Sequence, residues 1–88
     1  MAKGITEVRY RKMLATLIEA RKSAGLSQPD VAVILSKPQQ FVSRYELGER
    51  RLDVIEYVDI AAALGLDGLA LLTNILQMSR ANPASEKE

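Results

Sequence analysis

The chain contains no cysteine and no histidine. The first absence removes disulfides and thiolate nucleophiles, the second removes imidazole bases, and together they remove the usual soft-metal ligands. What is left for acid and base work is scattered Asp and Glu, with no spacing that sets two of them face to face. An enzyme is therefore not expected, nor is a metal, a cofactor or a small-molecule ligand. Long apolar runs are missing too. Hydrophobic residues make up 48% of the chain, but they fall in short clusters broken by charge, well short of the roughly 20 residues that span a bilayer. No membrane partner is expected. The start, Met1-Ala2-Lys3-Gly4-Ile5-Thr6-Glu7, lacks the apolar stretch of about 7 to 15 residues that marks a secretory signal, so the expected setting is cytoplasmic.

Eighty-eight residues suffice for one domain with one core, and not for two. The net charge of +1 conceals an asymmetry. Residues 1–51 carry ten Lys/Arg against five Asp/Glu, a balance of +5, and residues 52–88 carry two against six, a balance of −4. The first part is suited to a phosphate-bearing partner. An uneven scatter of surface charge gives the same count, so charge alone decides nothing.

Helical periodicity runs through the chain, and no segment alternates with period two or repeats. Leu14, Leu17, Ile18, Arg21 and Ala24 form an amphipathic stripe, predicting a first helix from about Glu7 to Ala24, closed by Gly25 with Leu26 packing back. Ser27-Gln28-Pro29-Asp30 reads as the start of a short second helix: a hydroxyl cap, a first-turn proline, and an acid at the positive helix end. Val31, Ala32 and Leu35 make its buried face, and Ser36-Lys37-Pro38 interrupts it. A third helix, Gln39 to about Glu46, turns Val42 and Tyr45 inward and ends at Gly48. After the basic-tipped loop Leu47 to Arg51, Asp53 and Glu56 form a capping box for a fourth helix running to Leu64, with Leu52 and Tyr57 placed as a hydrophobic staple. Gly65 and the turn Leu66-Asp67-Gly68 lead to a fifth helix over about 68–80, one side of which is expected to carry Leu69, Leu72, Ile75, Leu76 and Met78, extended by Ala70 and Leu71. Residues 81–88 are polar and expected to be a disordered tail. The expected fold is an all-α five-helix bundle in a single domain over 1–80.

Two helices of about eight residues around a three-residue break are marginal alone and persist by packing on each other. That is the helix-turn-helix arrangement, here about 27–48, in which the second helix presents its outward side chains to the major groove. With Val42 and Tyr45 inward, the outward set is Gln39, Gln40, Ser43 and Arg44. Glutamine can pair bidentately with adenine and arginine with guanine.

The ordered set Arg21, Gly25-Leu26-Ser27-Gln28, Ala32, Val42-Ser43-Arg44-Tyr45-Glu46, Gly48, Ile60-Ala61 and Ala63-Leu64-Gly65 resembles the Cro and phage-repressor (XRE) family of helix-turn-helix regulators. The resemblance covers Leu17 to Leu66. It implies a lambda-repressor-like DNA-binding domain, a double-stranded DNA partner and a prokaryotic or phage source. By resemblance, Gln39, Gln40 and Arg44 read bases, Gln28 clamps a phosphate, Ser43 lies near the backbone, and Arg21 pairs with Glu46. Lys37, Arg50 and Arg51 are further phosphate-contact candidates, the alternative for the two arginines being ordinary solvated charge. Two positions depart from the family pattern: Ser36 stands where the turn most often has glycine, and Pro38 where Ser or Thr usually caps the third helix. A shift of the helix start by one residue would rotate the outward set by about 100°. Phe41 either touches a thymine methyl or covers the seam between the third and fourth helices.

The fifth helix is more apolar than a capping helix needs. Leu69, Leu72, Ile75 and Leu76 are candidate homodimer contacts, the alternative being a wide core face. The expected function is a repressor-like homodimer reading a near-palindromic operator; the alternative is an antitoxin or adaptor-like protein-interaction module in which DNA binding is secondary.

Overall fold

The computed structural model of the chain describes residues 7–81. Five helices follow one another: α1 (Val8–Ser23), α2 (Gln28–Leu35), α3 (Gln39–Glu46), α4 (Val54–Leu64) and α5 (Gly68–Ala81). No strand occurs among the described residues. Ala81 belongs to α5 rather than to the tail expected from 81 onward, and residues 82–88 lie outside the described residues.

Local chemistry sets most of the boundaries. Ser27 Oγ accepts from the Asp30 N–H at 3.1 Å and Asp30 Oδ2 accepts from the Ser27 N–H at 2.8 Å, a reciprocal box that starts α2 with Pro29 in its first turn. Asp53 and Glu56 do the same for α4, at 2.7 and 3.0 Å. Each box satisfies two of the backbone donors that a helix start leaves without partners.

The turn between α2 and α3 is closed by a residue that pays a steric penalty. Ser36 adopts left-handed geometry, φ 58° and ψ 44°, the single non-glycine residue described with positive φ. Its N–H donates to the Val33 carbonyl at 3.1 Å and the next N–H, of Lys37, to the Ala32 carbonyl at 2.9 Å. Pro38 then extends the chain (φ −65°, ψ 152°) and gives α3 no side-chain cap. α3 nonetheless begins at Gln39, so the one-residue shift that these two departures raised does not occur.

The core draws Leu17 from α1, Val31 from α2, Val42 and Tyr45 from α3 and Ile60 from α4, all fully buried. α5 meets it differently from the expectation. Leu71 is its buried residue, Ile75 packs on the core half-buried, and Met78 is also half-buried, whereas Leu69, Leu72 and Leu76 are 75%, 46% and 50% exposed. The expected single stripe is therefore two stripes on two faces. The inner one runs through residues 71, 75 and 78, the outer through 69, 72 and 76. Burying Leu71 stabilises the docked helix by roughly 1.5–3 kcal/mol. The docking is close at its start: a Cβ on Gly68 would lie 3.2 Å from the Ala61 Cβ, and the Tyr57 hydroxyl donates to the Gly68 carbonyl at 2.6 Å.

Candidate nucleic-acid interface

α3 is fixed by what it buries. Val42 and Tyr45 have no exposed surface, and this phase leaves Gln39, Gln40 and Arg44 exposed, with Ser43 half-buried beside them. Phe41 is half-buried and packs against the core. Its ring packs edge-on against Tyr45, with centroids 5.6 Å apart and planes at 66°, and shares a hollow with Leu35, Ile55 and Ile60. Burial pushes the Tyr45 hydroxyl above the ordinary tyrosine range, and that oxygen has no hydrogen-bond partner among the described residues.

Three helices meet at Glu46. Its Oε2 accepts from Arg21 Nε at 2.7 Å, and its Oε1 accepts both from Arg21 Nη2 at 3.1 Å and from Gln28 Nε2 at 2.9 Å. Arg21 Nη1 also donates to the Leu26 carbonyl at 2.9 Å, tying the bend between α1 and α2 to the same guanidinium. The pair is shielded from water, with side chains 12% and 6% exposed. A two-point guanidinium–carboxylate contact fixes orientation as well as distance. It ties the last residue of α3 to α1, while Gln28 ties that residue to the first of α2.

Gln28 thus enters the site differently from a free clamp. One of its amide N–H groups is held inside the protein, which sets where the second can point. No sequence spacing discloses this bond, because Gln28 and Glu46 are 18 residues apart on different helices.

The basic residues around α3 are also held by neighbours. Arg50 Nη1 donates to Glu56 Oε1 at 2.8 Å and to the Arg51 carbonyl at 3.1 Å, and its guanidinium lies 4.9 Å from the Phe41 centroid. Lys37 Nζ is 5.2 Å from the same centroid. Arg51 stacks on Tyr10 at 5.1 Å, and the Tyr10 hydroxyl accepts from the Leu52 N–H at 2.9 Å, so α1 supports the loop after α3. All three cations stay exposed.

Among the described residues no helix is long and apolar enough to cross a membrane. Two short helices joined by a tight turn, the second locked by its inner face and open on its outer one, define a helix-turn-helix DNA-binding domain. Residues 17–71 match the family described as helix-turn-helix. The chain is also similar to a solved structure, an XRE-family like protein from Pseudomonas syringae pv. tomato str. DC3000, with 46% sequence identity, a TM-score of 0.77, and coverage of 82% of this chain and 88% of that one. No curated protein matches the chain. The chain belongs to the XRE family of helix-turn-helix proteins, and its class is that of DNA-binding transcription regulators.

Proposed function

We propose that the protein is a repressor-like homodimer that reads a near-palindromic operator in the major groove. The observation that carries this reading is the phase of α3: with Val42 and Tyr45 fully buried, the exposed side chains of the helix include Gln39, Gln40 and Arg44, which have the donors and acceptors that base edges require. In this reading Gln28, Lys37, Ser43, Arg50 and Arg51 contact phosphates, which set register and orientation without carrying sequence information.

The outer stripe of α5 supports the dimer. Leu69, Leu72 and Leu76 are exposed and uncharged, and a second copy of the same stripe would cover them without opposing like charges. Ile75 contributes less, because it packs on the core of its own protomer. A two-fold pair of reading helices about 34 Å apart would match half-sites one helical turn apart. The bound dimer acts by occupancy, excluding other proteins from the site.

The test is selection from a randomised pool of duplex DNA with the purified chain, repeated for Gln40→Ala and Gln28→Ala. An enriched near-palindrome is expected. Gln40→Ala should relax preference at one base per half-site, and Gln28→Ala should weaken binding uniformly across sequences. Absence of enrichment would overturn operator reading and turn attention to a protein partner.

A further inference from the structure

Two hollows run into one another along α4. The first is lined by Leu35, Phe41, Ile55 and Ile60, the second by Ile34, Leu35, Ala62 and Ala63, and Asp59 borders both. Ile55, Asp59 and Ala62 stand at i, i+4 and i+7, one stripe of α4, and the last turn of α2 forms the opposite wall. The trough extends over residues 55–63, about 12 Å or two helical turns. Ile34 is 53% and Ile55 67% exposed, so aliphatic surface meets water on both walls. Neither Gln39, Gln40 and Arg44 of α3 nor the outer stripe of α5 lines it.

Its charge is one-sided. Asp53, Glu56 and Asp59 border the trough against Lys37 alone. Asp53 and Glu56 are engaged in the box that starts α4, and Arg50 holds Glu56. Three carboxylates against Lys37 and Arg50 leave one negative charge. The carboxylate without a hydrogen bond or ion pair to a described residue is Asp59, exposed at the middle of the trough. A partner that covers the aliphatic walls takes water away from Asp59, and a desolvated carboxylate without a counter-charge is costly. Acidic and wholly apolar partners are thereby disfavoured, the DNA backbone among them, and an aliphatic surface carrying a cation is accepted.

We propose that the trough between α2 and α4 docks a short amphipathic helix of another protein, which sets two aliphatic side chains against Ile34 and Ile55 and a lysine or arginine on Asp59. A groove two turns long takes anchors one turn apart. The site lies away from the exposed side chains of α3 and from the outer stripe of α5, so it depends on neither the operator reading nor the dimer.

The probe is a phage-displayed library of randomised peptides of roughly 11 residues, three helical turns. It is selected on the full chain and counter-selected on the double variant Ile55→Ser, Asp59→Asn. Both positions are exposed, so the variant should melt as the wild type does; should it fail to fold, Asp59→Asn alone serves for counter-selection. Enriched peptides should carry two aliphatic residues a turn apart and a lysine or arginine, and should shift the amide resonances of Ile34, Ile55, Asp59 and Ala62. Ile55→Ser should weaken them by about tenfold or more. Asp59→Asn should weaken them by about tenfold, an effect that fades as salt rises. Enriched peptides without a cation, equal binding to Asp59→Asn, or no enrichment over the double variant would each overturn the proposal. If the double variant instead turns a wild-type dimer into a monomer in sedimentation, a second copy covers the trough and the separate partner is refuted.

Discussion

Replacing Glu46 by alanine tests the junction of the three helices. The substitution removes the acceptor of three hydrogen bonds, two from Arg21 and one from Gln28. It leaves a guanidinium whose side chain is 12% exposed, with one remaining bond, to the Leu26 carbonyl. Removing one partner of a buried ion pair costs about 3–5 kcal/mol, because the other charge stays desolvated. The surviving bond and the residual water contact place Glu46→Ala near the lower figure, about 3 kcal/mol. In a domain of this size 1 kcal/mol moves the melting temperature by roughly 4–8 °C, so the expected fall is about 12–24 °C. Far-UV circular dichroism during a thermal ramp reads it directly. A fall under about 3 °C, which is less than 1 kcal/mol on that scale, would refute the reasoning. A double change, Arg21→Met with Glu46→Leu, sharpens the test: with no charge left behind, it should cost clearly less than Glu46→Ala alone.

Three further outcomes follow from the same structure. Ser36→Gly relieves a left-handed residue, a strain of about 1–2 kcal/mol, less the chain entropy that glycine adds to the unfolded state; the net gain of roughly 0.5–1 kcal/mol should raise the melting temperature by a few degrees, and a fall would contradict the assigned turn geometry. Leu69→Glu changes a residue 75% exposed in the protomer, so it should leave the protomer folded while sedimentation at micromolar concentration turns from dimer to monomer; a wild type that is already monomeric there would remove the dimer. Arg50 beside Glu56 holds that carboxyl below the ordinary glutamate value of 4.5, helped by the Asp53 N–H. A depressed folded value means stabilisation that is complete above about pH 4.5 and lost as pH falls through the lower folded value. Glu56→Gln should accordingly flatten the acid limb of the stability curve, while Asp30, depressed by its box with Ser27, keeps some of it; an acid limb unchanged by Glu56→Gln would refute the assignment.

The sequence disclosed the features that depend on a few adjacent residues. The starts of α2 and α4 are legible because a capping box is written in four consecutive positions, and the inward phase of α3 because Val42 and Tyr45 lie three apart. The inner face of α5 is illegible for an equally physical reason. Leu69, Leu71, Leu72, Ile75 and Leu76 fit two helical stripes, 69/72/76 and 71/75, and periodicity cannot choose between them. The choice is made by α1 and α4, both of which pack on α5, with Gly68 and the Tyr57 hydroxyl setting its entry against α4. The Gln28–Glu46 bond and the meeting of Lys37 and Arg50 on Phe41 were illegible because each joins side chains far apart in the chain. Such contacts depend on rotamers that only the assembled core selects.

The two departures from the family pattern show which interactions govern the reading helix. Without a helix-capping hydroxyl at Pro38 and without glycine at Ser36, the turn has lost the two residues that usually define its exit. α3 still starts at Gln39, and the register is kept from elsewhere. On the turn side, the Lys37 N–H is bonded to the Ala32 carbonyl, and the Phe41 N–H to the Pro38 carbonyl at 3.0 Å. Along the helix, Val42 and Tyr45 are fully buried and Phe41 packs half-buried on the core beside Tyr45. At its far end, Glu46 is bound to α1 and α2 at once. A helix of eight residues held at so many points along its inner side cannot rotate to follow a change in its cap without exposing a fully buried side chain. The orientation of Gln39 and Gln40 is therefore a property of the core and of the Arg21–Glu46–Gln28 junction, and substitutions in the turn should alter stability well before they alter which side chains face outward.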